Sequence, residues 1–119
     1  MSDATFETEK VVSYVDVICI NRYYGWYHDP GHLEVIQLQL KRELEGFRSL
    51  YKKPIIITEY GADTVSGLHR DPSFMFTEDF QVEFLMEYHS VFDTVRKDYL
   101  VGEMVWNFAD FMTVEGIFV

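Results

Sequence analysis

Three places in the sequence crowd acids, amides, hydroxyls and aromatic rings at the end of an apolar run. Asn21-Arg22-Tyr23-Tyr24-Gly25-Trp26-Tyr27-His28-Asp29 follows Tyr14 to Ile20, Glu59-Tyr60-Gly61-Ala62-Asp63 follows Pro54 to Thr58, and Trp106-Asn107-Phe108-Ala109-Asp110 ends the run that starts at Gly102. Carboxylates and hydroxyls can bind sugar hydroxyls, and aromatic faces can cover the C–H faces of a pyranose ring. One rim built from all three clusters would therefore be a carbohydrate-binding surface; a single such ring, taken alone, reads as core packing. Glu59 carries the sharpest chemistry. It ends a wholly apolar segment and precedes Gly61, so it is held at a tip where a carboxylate could attack an anomeric carbon. The same position would also suit a rim carboxylate paired with Arg22 or Arg70. The histidines add little: His28 and His32 are four apart, but Pro30 and Gly31 between them break the helix that would aim both at one metal. His69 reads as a loop residue and His89 as a helix-surface residue.

Something must hold these clusters together. The runs Tyr14 to Ile20, Pro54 to Thr58 and Gly102 to Phe108 are β-branched or aromatic and nearly continuously apolar, which predicts parallel strands covered on both faces. Between the first two, Leu33, Ile36, Leu40, Leu44, Phe47 and Tyr51 recur at three and four residues, one stripe of a helix that Lys52, Lys53 and Pro54 stop. Between the last two, Phe80, Phe84, Tyr88, Val91, Phe92 and Val95 form a second stripe, with Thr77 as cap and Glu78 and Asp79 at the positive end. The order β-α-β-α-β implies parallel units with right-handed crossovers, whose functional groups gather at the C-terminal strand ends. Three strands make either a small open sheet or part of a (β/α)8 barrel, which needs about 250 residues.

Composition narrows the partners. The 119 residues are 48% hydrophobic and 25% charged, enough for a buried core, and no apolar run nears the ~20 residues of a bilayer span. A formal charge of -10 would repel a phosphate backbone or an anionic membrane, so neither nucleic acid nor membrane is an expected partner. The single cysteine, Cys19, lies in the first apolar run and reads as a buried, inert thiol. The polar segment 1–10 reads as a leader without the basic and apolar regions of a signal peptide.

From about Val15 to Phe118 the sequence closely resembles the C-terminal part of the catalytic barrel of β-glucuronidases, glycoside hydrolase family 2. The stretches that carry the resemblance are Asp16-Val-Ile-Cys-Ile-Asn-Arg-Tyr-Tyr-Gly-Trp-Tyr27, Pro54-Ile-Ile-Ile-Thr-Glu-Tyr-Gly-Ala-Asp63, Met75-Phe-Thr-Glu78 and Val105-Trp-Asn-Phe-Ala-Asp-Phe-Met112. The resemblance implies an α/β fold, a partial (β/α)8 TIM barrel containing about strands six to eight with their helices, over residues 11–119. It implies a retaining glycosidase in which Glu59, at the end of strand seven, is the nucleophile and Tyr23 orients it. Trp106 would line the sugar site, with Asn21, Tyr24 and Asn107 as further substrate-binding residues; Asn107 is equally suited to fixing the turn after strand eight. A carbohydrate substrate, no metal, no cofactor and a homo-oligomer, a tetramer, are implied with it. The implied compartment is the lysosome for an animal member and the cytoplasm otherwise.

Two departures qualify that expectation. The family's acid/base is the Glu of an Asn-Glu pair after strand four, and this chain has no Asn-Glu pair. The family also carries an Asn-Lys-x-Gly loop that binds the substrate carboxylate, where this chain runs Thr113-Val-Glu-Gly-Ile-Phe118 without Asn or Lys. The sequence therefore predicts a fragment with the nucleophile half of the site. The alternative it leaves open is a truncated relative with no activity of its own.

Overall fold

The computed structural model describes residues 5–109. Strand β1 (Ile18–Asn21), helix α1 (Ile36–Tyr51), strand β2 (Ile55–Tyr60), helix α2 (Glu78–Val95) and strand β3 (Leu100–Val105) follow in the expected order, with short 3-10 helices at Val11–Tyr14 and Leu33–Val35. The sheet is parallel, ordered β1-β2-β3, so the strand that carries Glu59 is central. This is the α/β arrangement expected of part of a barrel.

The helices lie on one face of the sheet and bury it. Ile18, Ile20, Ile55 and Ile57 from the strands meet Ile36, Leu40, Leu44 and Phe47 of α1 and Phe84, Tyr88 and Phe92 of α2, all fully buried. At about 1.5–3 kcal/mol for each large apolar side chain removed from water, this layer is the main source of stability. Helix α2 starts where the sequence places it: the Thr77 hydroxyl accepts from the Phe80 amide at 3.1 Å and donates to the Phe74 carbonyl at 2.6 Å. Helix α1 stops differently. Lys52 takes a left-handed conformation (φ 55°) that ends the helix before Pro54 is reached. The Lys53 ammonium turns away and donates to the carbonyls of Val12 and Val15 at 2.7 and 2.6 Å, holding the segment that leads into β1. The described part of the polar segment 1–10 packs on α1, with Phe6 edge-on to Phe47 and the Glu9 carbonyl accepting from the Tyr51 hydroxyl.

The expected burial of both strand faces is not what the described residues show. Burial alternates along β1 and the start of β2, leaving Cys19 exposed and Ile56 half-exposed on the face away from the helices. Cys19 is thus an accessible thiol and not a buried one. The reason is topological: a continuous apolar run reports what a strand can pack against, and within these residues only one face has helices to meet.

Candidate active site

The C-terminal end of β2 owes its geometry to a bulge. Along β1 and β2 the partners run Ile18 with Ile55, Cys19 with Ile56 and Ile20 with Ile57, then jump to Asn21 with Glu59. The pairing of β2 with β3 jumps likewise between Ile57 and Tyr60. One extra residue in β2 reverses the alternation. In a regular strand residue 59 would share the helix-covered face with Ile55 and Ile57; instead Tyr60 takes that place, 3% exposed, and Glu59 is freed from it. Bulges recur at barrel rims because they re-aim one side chain without ending the strand.

Glu59 then meets Tyr23. The Tyr23 hydroxyl donates to Glu59 Oε2 at 2.9 Å, and the Arg22 amide donates to the Glu59 carbonyl at 2.9 Å, so side chain and backbone are both tied to the end of β1. Burial, the hydrogen bond to Glu59 and the negative charge of Glu59 all push the Tyr23 phenol well above the ordinary tyrosine range. It stays protonated, and a donor, at any working pH. Asn21 sits beside them, its Oδ1 accepting from Thr58 Oγ1 at 2.6 Å. Of the two cations that the sequence offers Glu59, Arg22 pairs with Glu43 at 2.7 Å in the interior, and the Arg70 guanidinium lies 5.1 Å from the centre of the Phe74 ring.

Trp106 approaches from β3. Its amide donates to the Tyr60 carbonyl at 2.7 Å, and its own carbonyl comes so close to Gly61 (φ 154°) that a Cβ there would lie 2.0 Å from the oxygen. Glycine is required at position 61 because a backbone atom fills the side-chain space. Trp106 is 45% exposed, at the same strand ends as Glu59. The peptide bond from Trp106 to Asn107 is cis, and the Asn107 amide donates to the Ala109 carbonyl, the turn-fixing contact weighed for it.

Tyr24 points elsewhere. With Thr5, Phe6, Glu7, Gln39, Arg42 and Glu43 it lines a cavity of about 270 Å³ beside α1. Its carbonyl, with that of Arg22, accepts from the buried Tyr88 hydroxyl at 3.2 Å, so Tyr24 bears on the site through the backbone of its loop. Sequence reasoning missed the bulge, the Arg22–Glu43 pair and the hydroxyl contacts of Tyr88, which it placed only in the apolar stripe of the second helix. One signal was available: Tyr60 stands an odd number of residues from Ile55 and Ile57, so an aromatic core residue there calls for a slip in alternation. Asp110, Glu115 and the Thr113 to Phe118 segment lie outside the described residues. Among the described residues no three His, Cys, Asp or Glu side chains gather as a metal-binding group, and no helix is long and apolar enough to cross a membrane.

The arrangement can present one oriented carboxylate to a ring held against Trp106. Comparison with known proteins gives the family. The chain is 55% identical over 113 residues to the β-glucuronidase of Felis catus and 54% identical to that of Homo sapiens, matching 95% of its own length. It spans 17% of the length of those relatives. Among solved structures, the β-D-glucuronidase of Dictyoglomus thermophilum aligns with a TM-score of 0.88 at 52% identity, covering 96% of this chain and 19% of that one. The β-glucuronidase of Bifidobacterium dentium, solved with coumarin-3-O-glucuronide, aligns at 0.86 and 39%, covering 98% and 18%. The family model described as the TIM barrel domain of the family 2 glycosyl hydrolases matches residues 3–118, and the chain belongs to that family.

Proposed function

We propose that this chain supplies the nucleophile half of a retaining β-glycosidase acting on β-glucuronides. The hydrogen bond from Tyr23 to Glu59 Oε2 at a bulged strand end is the observation that carries the reading. With Oε2 held, Oε1 attacks the anomeric carbon, the glycosidic C–O bond breaks, and a glycosyl ester forms on Glu59. A second carboxyl group protonates the departing oxygen and then takes a proton from the water that cleaves the ester, restoring the Glu59 carboxylate. The chain has no Asn-Glu pair, so on the family pattern that group comes from outside these 119 residues. In this reading Trp106 and Asn21, which lie at the same strand ends, contact the sugar. A homotetramer, and a lysosomal setting for an animal member or a cytoplasmic one otherwise, are what the family resemblance adds to the same proposal.

A 2-deoxy-2-fluoro-β-glucuronyl fluoride tests it. Fluoride leaves without needing a proton, so ester formation does not depend on the second carboxyl group, and the fluorine at C2 slows hydrolysis of the ester. Mass spectrometry should find the sugar on the peptide containing Glu59, and Glu59→Gln should abolish it. No labelling would favour a protein without catalytic activity, and labelling at Asp63 or Asp110 would move the nucleophile. Tyr23→Phe should slow labelling while leaving its site unchanged.

A further inference from the structure

Behind Glu59, on the helix side of the sheet, three polar side chains converge that the proposed reaction does not use. The Tyr60 hydroxyl lies 2.9 Å from His89 Nε2 of α2 and donates to Glu103 Oε1 of β3 at 3.3 Å, while His89 Nε2 and Glu103 Oε1 are 3.7 Å apart. A hydroxyl has one proton. If Tyr60 gives it to Glu103, the His89 Nε2–H must donate to Tyr60, so all three groups are satisfied in one assignment. Burial and the neighbouring Glu103 carboxylate raise the Tyr60 phenol above the ordinary range, which keeps that proton in place.

We propose that Tyr60, His89 and Glu103 form a register clamp on β2 and act as positioning residues for Glu59. The inference rests on the nucleophile role proposed above. A bulge is a place where a strand can slip, and a slip of one residue here would swing Glu59 towards α2 and Tyr60 out of it. Apolar packing alone opposes this through the Tyr60 ring, stacked 5.3 Å from Tyr88 and edge-on at 5.0 Å to Phe92. The hydroxyl contacts add direction: they fix how deep the ring seats, and each partner comes from a different element. The Tyr60 carbonyl accepts from the Trp106 amide at 2.7 Å, so the same residue also sets where Trp106 stands. His89, read from the sequence as a helix-surface residue, is half-exposed yet holds this junction.

Two substitutions separate the clamp from plain packing. Tyr60→Phe keeps the ring and removes the hydroxyl; His89→Ala removes the donor, and His89→Gln restores an N–H at about the Nε2 position. Amide hydrogen exchange by NMR reads the Arg22 and Trp106 amides, which donate to the carbonyls of Glu59 and Tyr60. Both should exchange about fivefold faster in Tyr60→Phe and in His89→Ala, the factor that one net hydrogen bond carries. The α1 amides should be unchanged, and His89→Gln should return to wild-type exchange. With the fluoro sugar, the saturating rate of ester formation on Glu59 should fall by about the same factor, while the half-saturating concentration holds. Unchanged exchange at both amides, equal acceleration in α1, or failure of His89→Gln to rescue would overturn the clamp. Absence of labelling in the wild type would count against the nucleophile role, and the exchange data would still decide the clamp by themselves.

Discussion

Gly61→Ala is the sharpest test of how the end of β2 meets β3. A methyl group at position 61 would be built 2.0 Å from the Trp106 carbonyl oxygen and 3.1 Å from its carbon, both backbone atoms that no rotamer change can move aside. Relief needs the two strand ends to separate by more than 1 Å to reach ordinary carbon–oxygen contact (about 3.3 Å), and that displacement breaks the Trp106 N–H bond to the Tyr60 carbonyl at 2.7 Å. The lost hydrogen bond is worth about 0.5–1.5 kcal/mol. Forcing alanine into a backbone region it rarely adopts adds about 1–3 kcal/mol. The expected destabilisation is thus about 2–4 kcal/mol, a large share of the 5–15 kcal/mol that a domain has. Gly67→Ala is the internal control, because Gly67 also has a positive φ (76°) but nothing within 4 Å of the added carbon. It isolates the conformational cost, about 1–2 kcal/mol. Urea unfolding of both variants, followed by circular dichroism, measures the difference. Equal destabilisation by the two substitutions would refute the reasoning, since it would mean that the close approach of Trp106 contributes nothing.

The buried Arg22–Glu43 pair, with side chains 5% and 7% exposed, predicts that Arg22→Met costs about 3–5 kcal/mol by leaving a carboxylate unpaired in the interior. Arg22→Met with Glu43→Leu should recover most of that in the same urea assay. Thr77→Ala, which removes the N-cap acceptor of α2, should cost about 1 kcal/mol in thermal unfolding. Stability should also depend on pH at the alkaline end. Burial pushes Tyr99 up to about 12 and raises Tyr23, Tyr60 and Tyr88 above the ordinary value of 10.0. Between pH 10 and 12 the unfolded chain therefore sheds tyrosine protons that the folded protein keeps, and stability falls as pH rises, by up to about 1.4 kcal/mol per pH unit for each such tyrosine. Urea midpoints at pH 9, 10 and 11 should decline in that order, and a flat series would count against the burial of these hydroxyls.

Much of this protein is legible in its sequence because the governing signals are local. Helix periodicity depends on side chains three and four apart, the cap at Thr77 on the next turn, and strand propensity on the run Ile55–Ile57 itself. The clustering of Asn21, Tyr23, Glu59 and Trp106 after apolar runs also follows from chain order, once parallel strands are granted. What only the tertiary structure decided depends on pairing between distant segments. The bulge in β2 arises because Tyr60 has an aromatic pocket in α2 to fill, with Tyr88 and Phe92 contributed from about thirty residues on. Arg22 reads in the sequence as a rim cation for Glu59, whereas the fold of α1 brings Glu43 to 2.7 Å from it. Tyr24 reads as a site residue until its loop turns it towards Gln39 and Arg42, whereas Tyr23, one position earlier, reaches Glu59. Adjacent residues in an irregular loop face different surroundings because their directions are set by the elements they pack against, and no local pattern encodes that choice.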